Sequence, residues 1–185
     1  MNKILLTLII SATIGIVHAQ NENIPDAIFK AVLVGNTAIN TNGDAEIQVS
    51  EASAFGGTIF CASLGISDLT GIEAFTALTI LNCSSNLITS LDVSQNTALT
   101  VLWCPNNQLT TLDVSNNTAL TYLDCEWNQL TCLNVKNGNN QNMTGFNAFN
   151  NPNLACIEVD DAAWSTANWT NIDTQSFFSE DCGVE

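Results

Sequence analysis

From Leu78 onward the apolar positions of the chain fall on a fixed spacing. Leu78, Leu81, Cys83, Asn86, Ile88, Leu91 and Val93 return 21 residues later as Leu99, Leu102, Cys104, Asn107, Leu109, Leu112 and Val114. They return again as Leu120, Leu123, Cys125, Asn128, Leu130, Leu133 and Val135. An earlier unit, Ile59 to Ala77, leads in with a 22-residue offset from Cys61 to Cys83, and Phe146, Leu154 and Cys156 read as a decayed last unit in the same phase. Within each unit the stretch ending in Leu-x-Cys alternates apolar and polar residues, as a short strand with one buried face does. One unit cannot bury its apolar ridge alone. Stacked units can, so the repeat predicts a solenoid with one continuous core. Each unit brings about six apolar side chains, worth roughly 1.5–3 kcal/mol each when fully buried. Asn86, Asn107 and Asn128 fall in one column, where a buried amide needs the free backbone groups of the neighbouring unit as partners.

These units resemble those of secreted bacterial leucine-rich-repeat proteins of the Bacteroidetes type, related to internalin-like repeats. The segment Leu64-Gly-Ile66-Ser-Asp-Leu69-Thr-Gly-Ile72-Glu-Ala-Phe75 carries the likeness most clearly. The resemblance implies an α/β-type repeat solenoid with short parallel strands and few helices, placed outside the cell, that binds a protein or another ligand. It does not name the ligand.

A stack of this kind needs a polar cover at each end. The chain divides into a leader over 1–19, an N-terminal cap over 20–56, leucine-rich repeats over 57–156 and a C-terminal cap over 157–185. Pro25 and Asp26 suit the first turn of a helix, and Ile24, Ile28, Ala31 and Val32 fall on one face, which predicts a short N-terminal helix to about Val34. The stretch that follows, from Asn40 to Glu51, has the spacing of an EF-hand-like loop. Asn40, Asn42 and Asp44 supply side-chain oxygens, Glu46 a backbone carbonyl and Glu51 a bidentate acid, a set suited to weak structural calcium binding. It departs from the usual loop in Asn40, which loses a charge, and in Ala45, which stands where a left-handed residue is wanted. A plain polar turn is the other reading. Trp164 and Trp169 in the C-terminal cap are read as apolar covers over the last unit.

Seven cysteines occur in the chain. Cys61, Cys83, Cys104 and Cys125 share one inward strand position and read as small core residues with free thiols; a metal-binding ladder is the alternative. Cys156 and Cys182 bracket the C-terminal cap and are the candidates for a disulfide, which would tie a short cap to the stack. Cys132 stands where other units have Ser90 and Thr111. It is expected to face outward, as an exposed thiol or a link between chains.

Lys3 followed by the apolar run Ile4 to Val17 and by Val17-His18-Ala19 reads as a secretory signal peptide cleaved after Ala19, so the protein is expected to be secreted or held at the cell surface. The run is shorter than a membrane span, and no membrane insertion is expected. The whole chain carries −15, and losing Lys3 makes it one unit more negative. Lys30 and Lys136 are then the remaining basic side chains, which argues against nucleic acid as a partner. His18 is the sole histidine and leaves with the leader, so no Ser-His or Cys-His nucleophile pair can form. We therefore expect no enzyme. Paired carboxylates could still act on glycosides, but Asp124 and Glu126 stand two residues apart on an open face.

On each strand the residues flanking the inward Leu and Cys point to solvent. These are Ile80, Asn82 and Ser84, then Val101, Trp103 and Pro105, then Tyr122, Asp124 and Glu126, then Met143, Gly145 and Asn147. Trp103, Tyr122 and Trp127 fall on adjacent units beside Asp124 and Glu126. These five residues are the candidate ligand-binding face. The expected function is a protein-interaction module, adhesin-like, acting as a monomer; binding of a glycan is the alternative.

Overall fold

The computed structural model describes residues 20–183. The expected leader over 1–19 lies outside the described residues. The repeat builds the expected stack. Five three-residue strands, β1 (Thr58–Phe60), β2 (Ile80–Asn82), β3 (Val101–Trp103), β5 (Tyr122–Asp124) and β7 (Gly145–Asn147), form one parallel sheet in that order. Its register aligns Ile59, Leu81, Leu102, Leu123 and Phe146 in one inward column. All five are buried. The column after it holds Cys61, Cys83, Cys104, Cys125 and Ala148, each buried. The four thiols do not pair with one another. Each points along the stack and meets the backbone carbonyl of the next strand, from Cys61 Sγ to Asn82 O at 3.4 Å through Cys125 Sγ to Asn147 O at 3.5 Å. Burial pushes the Cys61 thiol up to about 12 and the other three well above their ordinary value.

Past the cysteine column every unit turns out of the sheet through a left-handed residue: Ser63, Ser85, Asn106, Trp127 and Asn150, with φ between 52° and 60°. Next comes the asparagine column. Asn107 Nδ2 donates to the carbonyls of Cys83 and Cys104, and its Oδ1 accepts the Ile88 N–H at 3.1 Å. Asn86 and Asn128 repeat the pattern, and Asn151 extends it. Each side chain thus ties two units together with bonds worth about 1 kcal/mol net and far more costly to leave unmade. A second buried asparagine pair, Asn96 and Asn117, links units further along the coil through Nδ2 alone, each donating to two carbonyls of the preceding unit while its Oδ1 has no partner. A threonine column, Thr79, Thr100, Thr121 and Thr144, links the units before the strands. Periodicity of the apolar residues had pointed to neither.

A second parallel sheet, not anticipated, forms on the return path: β4 (Thr111–Asp113), β6 (Cys132–Asn134), β8 (Cys156–Glu158) and β9 (Phe177–Ser179). Leu133 pairs with Ile157, so Cys156 follows Cys132 in an outward row and is not in phase with the cysteine column. The reason is unit length. Tyr122 pairs with Gly145, an offset of 23 residues. The longer last unit shifts everything after it. Ala148 therefore takes the cysteine position, and Met143, expected on the open face, is buried.

Helix α1 (Ala27–Val34) forms as expected, its N-cap Asp26 accepting the N–H groups of Ile28 and Phe29. Its buried face, however, is Phe29 and Leu33, while Ile28 is exposed. The i, i+4 pair that points at the first unit is set by Asp26 Oδ2, which accepts from Ser67 and fixes the helix on the stack. A second short helix, α2 (Val49–Ala54), is started by a capping box between Gln48 and Glu51. At the other end α3 (Ala162–Asn168) lays Trp169 flat on Phe146, ring centroids 4.2 Å apart, with Trp164 edge-on against Trp169. Trp169 thus lies on the last strand of the five-stranded sheet, and Trp164 packs on Trp169. A disulfide joins Cys156 to Cys182 and closes the cap, worth roughly 3–4 kcal/mol if it acts through loop entropy. Among the described residues no helix is long and apolar enough to cross a membrane.

Candidate ligand-binding face

The outward rows of the five-stranded sheet follow from its register. One row runs Thr58, Ile80, Val101, Tyr122, Gly145; the next runs Phe60, Asn82, Trp103, Asp124, Asn147. Beyond the cysteine column the corresponding residues of the last two units are Glu126 and Phe149, then Trp127 and Asn150. Three of the five predicted site residues, Trp103, Tyr122 and Asp124, are therefore on adjacent strands of one face, Glu126 just follows the second of these strands, and all four are half-buried. Trp127 is on the adjoining turn, 55% exposed.

The rings are not all free. Trp103 and Tyr122 meet edge to face with centroids 5.7 Å apart. Tyr122 lies over Gly145, so closely that a β-carbon there would collide with the ring. The glycine is what lets the tyrosine lie down across the next strand. These two rings are partly cover and partly surface. Trp127 differs. It occupies the left-handed turn position with φ 52°, which the other units fill with serine or asparagine. For a bulky side chain that conformation costs about 1–2 kcal/mol, and the ring it presents is largely in solvent. Neither backbone preference nor burial asks for tryptophan there.

Burial raises the Asp124 carboxyl above its ordinary value; the Glu126 N–H opposes the rise and the Glu126 charge adds to it. Asp124 Oδ1 accepts that N–H at 3.2 Å. Glu126 Oε2 accepts from Asn147 Nδ2 at 2.9 Å. Beside Glu126 an open recess of about 400 Å³ is bounded by Asn147, Phe149 and the Thr170–Ile172 segment of the C-terminal cap. Phe149, 46% exposed, and Asn147 belong to this face. The sequence reading missed Phe149 because it assumed a 21-residue last unit. It also missed Phe60, 66% exposed at the start of the Trp103 row.

Asn40, Asn42, Asp44, Glu46 and Glu51 lie together in the N-terminal cap, but their polar atoms are turned on one another. Both Glu51 oxygens are taken, Oε1 by Thr41 and the Asn42 N–H and Oε2 by the Gln48 N–H. Asp44 Oδ2 accepts from the amides of Asn42 and Gln48. Asn40 Nδ2 donates to the Asp44 carbonyl at 2.7 Å, and the Glu46 side chain is paired with Lys30 at 2.6 Å. In this arrangement the loop's carboxylates and side-chain amides satisfy one another within the loop. Cys132 is half-buried in the second sheet with a free thiol. Burial and the charges of Asp113 and Glu158 raise it.

No protein-family model matches the chain, and no curated protein matches it. Among solved structures it is similar to the functional domain of InlJ from Listeria monocytogenes, which includes a cysteine ladder, at 35% identity over 77% of this chain with a TM-score of 0.60. The chain spans about a third of that domain, 34% of its length. An internalin (inlF) from Listeria monocytogenes is 22% identical over 73% of this chain and 43% of its own, with a TM-score of 0.48. Internalin C2 (inlC2) of the same organism is 14% identical over 90% of this chain and 92% of its own, also with a TM-score of 0.48. The stacked parallel strands, the buried asparagine and cysteine columns and the likeness to InlJ together establish that this chain has an internalin-like leucine-rich-repeat fold.

Proposed function

We propose that the protein is a binding module, exported by its Ile4–Val17 leader, that holds a protein ligand on the C-terminal half of its five-stranded face. Trp127 anchors the ligand, with Trp103, Tyr122, Asp124, Glu126 and Phe149 around it. The observation that carries this reading is Trp127 itself: a large exposed ring kept in a left-handed turn where the same turn elsewhere uses serine or asparagine. Strain and exposure at one position of an otherwise regular repeat are what a contact residue leaves behind when its partner is removed. Support from fold alone is weak, since this architecture serves many partners. The absence of histidine after the leader and the open placement of Asp124 and Glu126 support binding over catalysis.

The test is capture from the protein's own extracellular medium with the chain from Gln20 onward, its Trp127→Ala and Trp103→Ala forms, and a Ser85→Ala control. A ligand retained by the parent and by Ser85→Ala but lost with Trp127→Ala supports the reading. Equal capture by all four folded forms removes it. Recovery of a polysaccharide in place of a protein would keep the face and change the ligand class.

A further inference from the structure

The charges on the sheet face are unevenly placed. The outward rows of β1, β2 and β3 carry no ionisable acid: Thr58, Phe60, Ile80, Asn82, Val101 and Trp103 are all uncharged. The two carboxylates of the face, Asp124 and Glu126, stand together on the unit that also carries Tyr122 and Trp127. The chain offers them no counter-charge. It contains no arginine. Lys30 is held by Glu46 at 2.6 Å, and Lys136 donates to the Glu180 carbonyl at 2.7 Å. Asp124, half-buried beside Trp103, accepts the Glu126 N–H, and Glu126 accepts from Asn147, but these neutral donors leave both charges without a cation. Among the described residues neither lysine is placed to supply one.

Building on the reading that this face binds a protein, we infer that the bound segment is basic and places an arginine side chain between Asp124 and Glu126 and the rings of Tyr122 and Trp127. A guanidinium fits both halves of such a site. Its planar fork takes two carboxylate oxygens at once, and its flat face stacks on an aromatic ring. Its weaker hydration compared with an ammonium lowers the cost of bringing it against Asp124. The neutral N-terminal half of the face would take the apolar or polar flanks of the same segment without repelling them. The strong overall negative charge hastens encounter with any basic chain, but it acts from every side. What distinguishes the inferred site is that two particular carboxylates dominate.

The experiment uses the chain from Gln20 onward and a fluorescein-labelled peptide in which several arginines are spaced by glycine and serine. A glutamate counterpart and neutral oligosaccharides are run in parallel, all near about 0.15 M salt. Two variants of equal charge are compared: Asp124→Asn with Glu126→Gln on the five-stranded face, and Asp113→Asn with Glu158→Gln on the second sheet. Anisotropy is expected to report binding of the arginine peptide that weakens about tenfold or more in the first variant and stays within about twofold in the second. Trp127→Ala is expected to weaken it about fivefold or more. Melting curves check that each form is folded. Equal weakening by both double variants would show only a diffuse field and would overturn the inference, as would no binding of the arginine peptide. If a neutral oligosaccharide binds in a Trp127-dependent way while the arginine peptide does not, the cationic ligand is refuted and the ligand face itself survives.

Discussion

The Cys83 and Cys125 units share one backbone and one interior. Leu81 matches Leu123, Cys83 matches Cys125 and Asn86 matches Asn128, all buried. Their outward residues share almost nothing. Ile80, Asn82, Ser84 and Ser85 in the first become Tyr122, Asp124, Glu126 and Trp127 in the second. The interior is constant because each column must pair with the unit before and after it. The exterior carries no such demand, so bulk, charge and a strained turn gathered on one unit point to contact with something outside the chain. Ser85 and Trp127 make the contrast sharpest, with φ 56° and 52° at equivalent turns.

Four substitutions or modifications probe that contrast. The largest effect is expected inside. Asn107→Ala leaves the buried Ile88 N–H without a partner and takes one of two amide donors from each of the Cys83 and Cys104 carbonyls, which keep Asn86 and Asn128, and should cost about 2–4 kcal/mol by denaturant unfolding. A loss below about 1 kcal/mol would mean the column is not what holds the units together. Gly145→Ala drives a methyl group into the Tyr122 ring. It should cost about 1–3 kcal/mol and, in a ligand-binding assay, reduce affinity by lifting the ring off the sheet. Ser85→Trp transplants the bulky turn residue to the plain half of the face. It should cost about 1–2 kcal/mol and add no affinity, because the carboxylates and the neighbouring rings are absent there. Alkylation with iodoacetamide near neutral pH should leave stability untouched and separate the cysteines. Cys132 should be modified in the native state, while Cys61, Cys83, Cys104 and Cys125 react only on unfolding. Their thiols are buried and shifted away from the reactive thiolate form. Native labelling of Cys104, read by peptide mass, would mean that the stack opens.

The interior was legible because its demands repeat. Leucine, cysteine and asparagine at fixed spacing left little freedom, and Cys156–Cys182 followed from their bracketing of the cap. Legibility failed where the period changed. The 23-residue step from Tyr122 to Gly145 moved Phe149 onto the face and Met143 into the core, and no local signal announces an insertion of two residues in a polar loop such as Asn137–Asn142. The second sheet escaped although Leu112-x-Val114 and Leu133-x-Val135 alternate as the first sheet's strands do, because only the pairing of Leu112 with Leu133 and of Leu133 with Ile157 marks that stretch as strand. The N-terminal helix was found but rotated, since Ile28 and Phe29 are equally apolar and only the contact between Asp26 and Ser67 decides which turns inward. Of the candidate site, the aromatic and acidic residues were visible as departures from the repeat. What the sequence could not convey is that Tyr122 is laid down over a glycine and Trp127 is left standing.

Trp127→Asn is the most direct test of whether that tryptophan is kept for contact. Removing a packed tryptophan ordinarily costs about 3–5 kcal/mol. Here the relief of the left-handed strain offsets the contact area lost, so stability should stay within about 1 kcal/mol of the parent, or about 2–4 °C in melting temperature, while affinity for the ligand recovered by capture collapses. A destabilisation of about 3 kcal/mol or more with that affinity unchanged would make Trp127 a cover for the solenoid and contradict the account.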